Sequence, residues 1–422
     1  MDAFLAPAKR KLEAANRDDD DEPTEIKLAL LASLHPDVEQ EMLLDVLAAH
    51  QGSVEQAAAS LSTTKTNKKI KTTTSAIGQQ SSLRKYAATK TNKRLRAKKG
   101  STLHLYDPED VAEYTPCTII HDFLPHEDAD NLLRELLTEA ESFERSTFKL
   151  FDNVVSSPHT AAFFVESLDE VRSQRDDYYY NGAKLTASLG ADVRRITPQL
   201  AKVKKTVEEA VNGEVQHRIT TRYPGGRKLR HQPAEPWRAN SAFVNCYKGG
   251  QESVGWHSDQ LTYLGPRAVI GSISLGVARE FRVRRVVTEE EAEEAPDETG
   301  AISIHLPHNS LLVMHAEMQE SWKHCIAPAL AIDPHPVAGN RRINITYRDY
   351  REAMHPTKTP KCACGVPCVL RVVQRRRENL GRYFWMCHAG NVPGRTACAM
   401  FRWAEFDDDG NPLDGGGGGG GG

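Results

Sequence analysis

The chain has 422 residues, 54 Lys and Arg against 57 Asp and Glu, and 39 % hydrophobic residues. That is room for two or three domains and at least one sizeable core. No apolar run approaches the ~20 residues needed to span a bilayer, and the start "MDAFLAPAKRKLE" lacks the apolar centre of a secretory signal. The expectation is a soluble intracellular protein with no membrane partner, whose eight cysteines stay reduced rather than forming a disulfide scaffold.

Residues 1–22 read as a disordered tail ending in the acidic run Asp18 to Glu22. Residues 23–62 then carry a compact helical signature. Asp37 with Gln40, and Ser53 with Gln56, suit N-cap boxes, Gly52 suits a C-cap, and Val38, Met42, Leu43, Val46 and Leu47 share one helix face. This three-helix pattern resembles a CUE or UBA-type module, with Leu34-His35-Pro36 where that family has Met-Phe-Pro. The resemblance implies ubiquitin as a partner; a purely structural bundle fits the same pattern. Residues 63–100 hold twelve Lys or Arg and no Asp or Glu, with few large apolar residues. They read as a disordered basic linker facing a polyanion, serving nuclear import, or both. Within it "QSSLRKYA" (Gln80 to Ala87) resembles a sliding-clamp box without its second aromatic.

From 101 to 354 the pattern is that of one large domain. "DADNLLRELLTEAESF" (Asp128 to Phe143) has helical period. After Ala242 short β-type runs follow one another: "AFVNCY", "AVIGSISLG", "EFRVRRVV", "AISIHL", "SLLVMH" and "RINITYR". Turn residues between them predict an antiparallel barrel or jelly roll. "SVGWHSDQ" contains His257-x-Asp259, which alone suits half a metal site or a polar surface strand equally. His324 in "SWKHCIAP" supplies a third ligand type, and two His with one carboxylate is the facial set for Fe(II), leaving three positions for an α-keto acid and O2. Such a co-substrate also needs a bidentate Arg. Strand alternation in "RRINITYR" puts Arg342, Asn344, Thr346 and Arg348 on one face, the two Arg about 20 Å apart, and Asn245 and Tyr247 of "NCY" share an alternate face.

These motifs, in this order, resemble the AlkB family of 2-oxoglutarate- and Fe(II)-dependent dealkylases, over roughly Ser101 to Met354. The resemblance implies that His257, Asp259 and His324 bind iron and that Asn245, Tyr247, Arg342, Asn344, Thr346 and Arg348 hold 2-oxoglutarate. It implies oxidative removal of methyl groups from base nitrogens, as formaldehyde, on a flipped or single-stranded base. By the same resemblance a hairpin before the barrel supplies stacking aromatics, and Phe164 is the candidate. Leu261 stands where relatives carry an acid. His315 reads as structural or near the lesion, and Cys246 and Cys325 as small core residues.

Residues 360–406 hold five of the eight cysteines. Four thiolates make a closed tetrahedral zinc site, which stabilises a unit too small for its own core. Gly381-Arg382-x-Phe384, with Phe401 and Trp403, resembles the GRF zinc finger, a single-strand binder. That match implies Cys362, Cys364, Cys387 and Cys398 as zinc ligands, Cys368 being the alternative in a Cys362-x5-Cys368 pair, and Arg382 and Trp385 as nucleic-acid contacts. A zinc knob for protein contact is the other reading. Residues 407–422, ending in eight glycines, are expected to be a disordered tail.

The expected fold class is therefore α+β: a double-stranded β-helix (jelly-roll) catalytic domain, a small N-terminal three-helix bundle and a small C-terminal zinc finger. The expected cofactors are Fe(II), 2-oxoglutarate, O2 and Zn(II), the expected substrate bases of the 1-methyladenine or 3-methylcytosine type in DNA, with RNA as the second candidate, in alkylation-damage repair, and the expected location the nucleus. The rival readings are a non-catalytic nucleic-acid or ubiquitin adaptor, and an oxygenase acting on RNA or protein.

Overall fold

The computed structural model describes residues 97, 101–145, 147–150, 153–180, 183–184, 193–288, 291, 300–392 and 394–413. The helical module at 23–62, the clamp-like box, the acidic and polyglycine ends and the basic linker apart from Ala97 lie outside them.

The described chain begins with β1 (Thr102–Leu105), α1 (Pro108–Tyr114), β2 (Cys117–Ile120) and α2 (His126–Glu139). A hairpin of β3 (Thr147–Leu150) and β4 (Asn153–Ser156) precedes β5 (Thr160–Val165) and α3 (Leu168–Asp177). Next come β6 (Tyr179–Tyr180), β7 (Ala183–Lys184), β8 (Val193–Arg195) and the 25-residue α4 (Pro198–Arg222). The barrel strands follow: β9 (Ser241–Lys248), β10 (Val254–His257), β11 (Ile270–Gly276), β12 (Arg279–Arg285), β13 (Ala301–Leu306) and β14 (Ser310–Met314). A short α5 (Met318–Ser321), β15 (Trp322–Ile326) and β16 (Arg341–Arg348) complete it.

One sheet runs β1-β13-β12-β15-β10 and the other β2-β14-β11-β16-β9-β5-β8. All their pairings are antiparallel except β1 with β13 and β5 with β8. This is the jelly roll expected from the run of short strands. The second sheet is covered on its outer side by α2 and α4. Leu132, Leu133 and Leu136 of α2 and Leu200, Val203, Val207 and Val211 of α4 recur at helical spacing and bury against Val244, Ile273, Ile343 and Ile345. Each such burial contributes about 1.5–3 kcal/mol. The helix sits close: a Cβ on Gly271 would lie 3.0 Å from Val211 Cγ2. Because side chains alternate along a strand, the residues between those apolar ones face the space between the sheets.

Two backbone positions depend on glycine. Gly271 is set by that close approach. Gly276, at φ +85°, turns β11 into β12 with no room for a Cβ, which would lie 2.4 Å from the Arg341 carbonyl oxygen.

A third sheet, β17 (Val369–Val372), β18 (Tyr383–Met386) and β19 (Phe401–Ala404), forms the C-terminal unit. It shares a core with the barrel, Leu370, Tyr383, Trp385 and Phe406 packing in one cluster with Leu261, Leu264, Met318 and Met354. Residues 407–413, expected to open a disordered tail, are held by hydrogen bonds. The Asp407 carboxylate accepts from the backbone of Asp409 and Asn411, and Arg351 donates to the carbonyls of Asp409 and Gly410. Lys228 pairs with Asp408 and Asp409. These polar contacts replace the apolar core that the composition of this segment lacks.

Candidate functional site

β10 and β15 are neighbours in register at His257 and His324, which puts both imidazoles on one face of the small sheet. Asp259 lies just past the end of β10, its Oδ1 3.7 Å from His257 Nε2 and 3.4 Å from His324 Nε2. The three ligand atoms lie within 4.8 Å of one another. His257 Nδ1 is 2.8 Å from the Gly255 carbonyl, a contact that leaves Nε2 as the ligating nitrogen. Asp259 is held well below the usual carboxylate range: burial opposes this, and Arg348, then His324, override it. Dense surrounding protein and the neighbouring His324 push His257 down to about 4, so its imidazole is neutral, the form that ligates. His257 nonetheless keeps one side open, its side chain 41 % exposed against 7 % for Asp259 and 6 % for His324. A closed pair of ligands and one ligand facing outward suit an ion that must meet a substrate.

β16 is paired with β9 and β11, and the three strands bring one polar face together. Arg342 lies opposite Tyr247, Asn344 opposite Asn245 and Ser274, and Thr346 opposite Ser272. Asn344 donates to Ser272 Oγ at 2.8 Å, and Thr346 Oγ1 to Asn344 Oδ1 at 3.2 Å. His159 lies 3.0 Å from Asn245 Oδ1 through Nε2 and stacks on Tyr247 at 4.7 Å. Arg342 is 1 % exposed, and only its Nη2 is satisfied, by Ser274 Oγ at 2.9 Å. Its Nε and Nη1 are buried without a partner among the described residues. Burial pulls its pKa down to about 10; Tyr247 favours its charge and Arg279 opposes it, and no carboxylate enters the balance. Arg279 itself is committed to the carbonyls of Gly249, Gly250, Glu252 and Ala327. A buried cation with unpaired donors is costly unless an anion completes it. The pattern fits the carboxylate of 2-oxoglutarate.

Arg348 forks its Nε and Nη2 onto Asp259 Oδ2 at 2.9 and 2.6 Å, so it holds the acidic member of the triad.

In the C-terminal unit Cys362, Cys364, Cys387 and Cys398 gather, with Cys362 Sγ 3.5 Å and Cys364 Sγ 3.9 Å from Cys387 Sγ. Tetrahedral Zn–S bonds of about 2.3 Å require S–S edges near 3.8 Å, whereas a disulfide requires about 2 Å. The spacing fits zinc. Cys368 is fully buried outside the group.

Two substrate candidates are corrected. Phe164 is fully buried on the helix side of β5, packed with Phe143 and the α2 and α4 leucines; alternation puts Phe163, not Phe164, on the face with Phe243. Trp385 is 3 % exposed because β18 turns Tyr383 and Trp385 toward the barrel. The outward aromatics are Phe384, Phe401 and Trp403, mutually packed at 5.1–6.2 Å, and Arg382 lies over Trp403 at 3.9 Å. His315 is buried 3.1 Å from Thr118 Oγ1, and Cys246 and Cys325 are buried in the barrel. Sequence reasoning missed Ser272 and Ser274, legible in the alternation of "GSISLG", and Gln319, whose Oε1 accepts from Asp259 N at 2.6 Å. A further cluster of His104, Glu280 and His305 lies on the outer sheet, where Arg282 already occupies Glu280.

Residues 116–348 match the 2OG-Fe(II) oxygenase superfamily and residues 360–407 the GRF zinc finger. The chain belongs to the 2OG-Fe(II) oxygenase superfamily, and its oxygenase domain is followed by a segment that matches the GRF finger. It is 32 % identical over 124 residues to the DNA oxidative demethylase ALKBH2 of Arabidopsis thaliana, covering 26 % of this chain and 38 % of that protein. It is 34 % identical over 115 residues to the alpha-ketoglutarate-dependent dioxygenase alkB homolog 3 of Homo sapiens, covering 26 % and 36 %. The chain thus spans little more than a third of those curated relatives. Among solved structures, OsALKBH1 aligns with a TM-score of 0.37 at 17 % identity, over 56 % of this chain and 97 % of that one. The superfamily's reagents are Fe(II), 2-oxoglutarate and O2, and the four-cysteine finger takes Zn(II).

Proposed function

We propose that the protein removes alkyl groups oxidatively from N-alkylated bases of the 1-methyladenine and 3-methylcytosine type, in DNA or RNA, in alkylation-damage repair in the nucleus. In this reading His257, Asp259 and His324 hold Fe(II), and Arg342, with Tyr247, Asn245, Asn344 and Thr346 around it, holds 2-oxoglutarate. Arg348 keeps Asp259 ionised and oriented. Bound iron supplies the coupling of 2-oxoglutarate decarboxylation and O2 to hydroxylation of the N-methyl carbon, after which formaldehyde leaves. The chain's own work is to keep His257 neutral, to fix Asp259 from both sides through Arg348 and Gln319, and to neutralise the diacid in a dry site.

The observation that carries the reading is the asymmetry of exposure within the triad: His257 faces outward while its partners are enclosed. That geometry admits a base still attached to its polymer. The name of the Arabidopsis thaliana relative, a DNA oxidative demethylase, and the outward cluster of Arg382, Phe384, Phe401 and Trp403, which suits base stacking, support nucleic acid as the polymer. The test is formaldehyde release from 1-methyladenine and 3-methylcytosine oligonucleotides, in DNA and RNA, single- and double-stranded. Succinate formation with no formaldehyde from any of them refutes the substrate class. For recruitment, ubiquitin is the proposed partner of residues 23–62 and a sliding clamp that of Gln80 to Ala87. Titration of each purified partner into the full chain decides both.

A further inference from the structure

The cleft above the triad, about 300 Å³ in volume, is built by two parts of the chain. His257 and Asp259 lie on the oxygenase side, and Leu370, Arg371, Val372 and Gln374 of the finger close the other. Its volume sits at the lower edge of the ~300–1,000 Å³ usual for small-ligand sites, the scale of one base rather than a folded partner.

The finger is fixed in that place. Leu370 N donates to Thr262 Oγ1 at 3.3 Å, and Gln374 Nε2 to the Gln319 carbonyl at 3.0 Å and to Ser258 Oγ at 3.4 Å. The Tyr383 hydroxyl donates to Glu320 at 2.9 Å, and the clasp of Arg351 on Asp409 and Gly410 secures the far end. Gln319 links the two sides directly: its side chain accepts from Asp259 N while its carbonyl accepts from Gln374. The zinc finger therefore joins the cleft through the residue next to a metal ligand.

Arg371 is the unexplained member of this wall: paired with Phe384, it stands on the outward face of β17 at the rim of the cleft. It is half-buried, burial is the only influence on its pKa, which is lowered, and no carboxylate among the described residues compensates it. The one acid in the cleft, Asp259, is already committed to Arg348 and the triad. A guanidinium at that rim is available to an anion arriving with the substrate, and a nucleic-acid strand carries one phosphodiester beside every base.

We propose that the GRF finger is a wall of the catalytic cleft and that Arg371 binds a phosphodiester flanking the target base. The proposal rests on the nucleic-acid reading above and deepens it: the finger takes part in every productive encounter, not only in finding the strand.

The experiment is a coupling cycle on the full, metal-loaded protein. Single-stranded oligonucleotides with one 3-methylcytosine carry either normal phosphates or a neutral methylphosphonate immediately 5′ or 3′ of the lesion. Binding is read by fluorescence anisotropy for wild type and Arg371→Met, with zinc content as the fold control. At one flank the methylphosphonate should weaken wild type about tenfold or more, the scale of a charge-assisted hydrogen bond. Arg371→Met should lose a similar factor on the normal strand and nothing further from the methylphosphonate. Additive losses, or wild-type binding by the variant, overturn the proposal. The methylphosphonate arm needs no substitution, so it holds if Arg371→Met loses zinc; no loss at either flank, or no wild-type binding to the strand, also overturns it. Formaldehyde from the same wild-type samples is read separately, so binding with intact coupling but no formaldehyde refutes the dealkylase reading and leaves Arg371 in place.

Discussion

Replacing Arg342 by Met separates what a buried cation costs the free protein from what it contributes to the co-substrate complex. The side chain is 1 % exposed, with one satisfied and two unpartnered donor groups. Two bonds to a carboxylate at the lower figure of about 1.5 kcal/mol each amount to about 3 kcal/mol, or roughly a hundredfold in affinity. Met fills a similar volume without charge, so the free protein should melt at the same temperature or higher, because the desolvated, unpaired charge is gone. Thermal stabilisation by 2-oxoglutarate should nearly vanish. At a concentration one hundred times its Kd the ligand stabilises wild type by about 2.7 kcal/mol, and a hundredfold weaker variant by about 0.4 kcal/mol. The assays are anaerobic melting with and without 2-oxoglutarate, and succinate formation against 2-oxoglutarate concentration. A variant whose requirement stays within about threefold of wild type, or which keeps the ligand-induced shift, refutes the assignment.

Arg348→Ala frees Asp259 Oδ2, so Fe(II) affinity should fall by about 10–100-fold, as measured by iron titration; a purely 2-oxoglutarate defect with iron affinity intact would return Arg348 to the diacid. Trp385→Ala should destabilise the finger by about 3–5 kcal/mol as a large core truncation, seen as a lower urea midpoint and zinc loss. Phe401, 54 % exposed, should tolerate Ala within about 0.5 kcal/mol yet lose single-strand affinity. Stable Trp385→Ala protein with weakened binding would reverse the two assignments. Deleting residues 63–100 removes twelve positive charges and should flatten the plot of log affinity against log salt by about 0.7 for each phosphate left without a cationic partner; an unchanged slope leaves that segment as spacer or import signal.

Several features of the site follow from local pattern alone. The two-residue period of "RRINITYR" fixes Arg342, Asn344 and Thr346 on one face and Ile343, Ile345 and Tyr347 on the other. The short spacing of His257 and Asp259 brings both to one strand end, and the turns around Cys362 to Cys364 prepare half a thiolate set. None of these depends on what lies opposite. The phase of a single strand is less legible: Phe163 and Phe164 are adjacent and chemically alike, and only the packing of α2 and α4 on the sheet decides which one is buried beneath the helices. Tyr383, Phe384 and Trp385 present the same ambiguity in β18.

Sequence by itself therefore determined most of the barrel strands after Ala242, the ligand types and their order, because hydrophobic period and residue chemistry are local properties of the chain. Tertiary structure alone decided that Arg348 grips Asp259, that Trp385 is core, and that β17 of the finger lines the same cleft as His257. Arg348 and Asp259 are 89 positions apart in the chain, and Gln374 and Ser258 are 116 apart. Partners at such separations are selected by which faces the folded sheets and the zinc-held strands bury against each other, and a one-dimensional pattern carries no record of that choice.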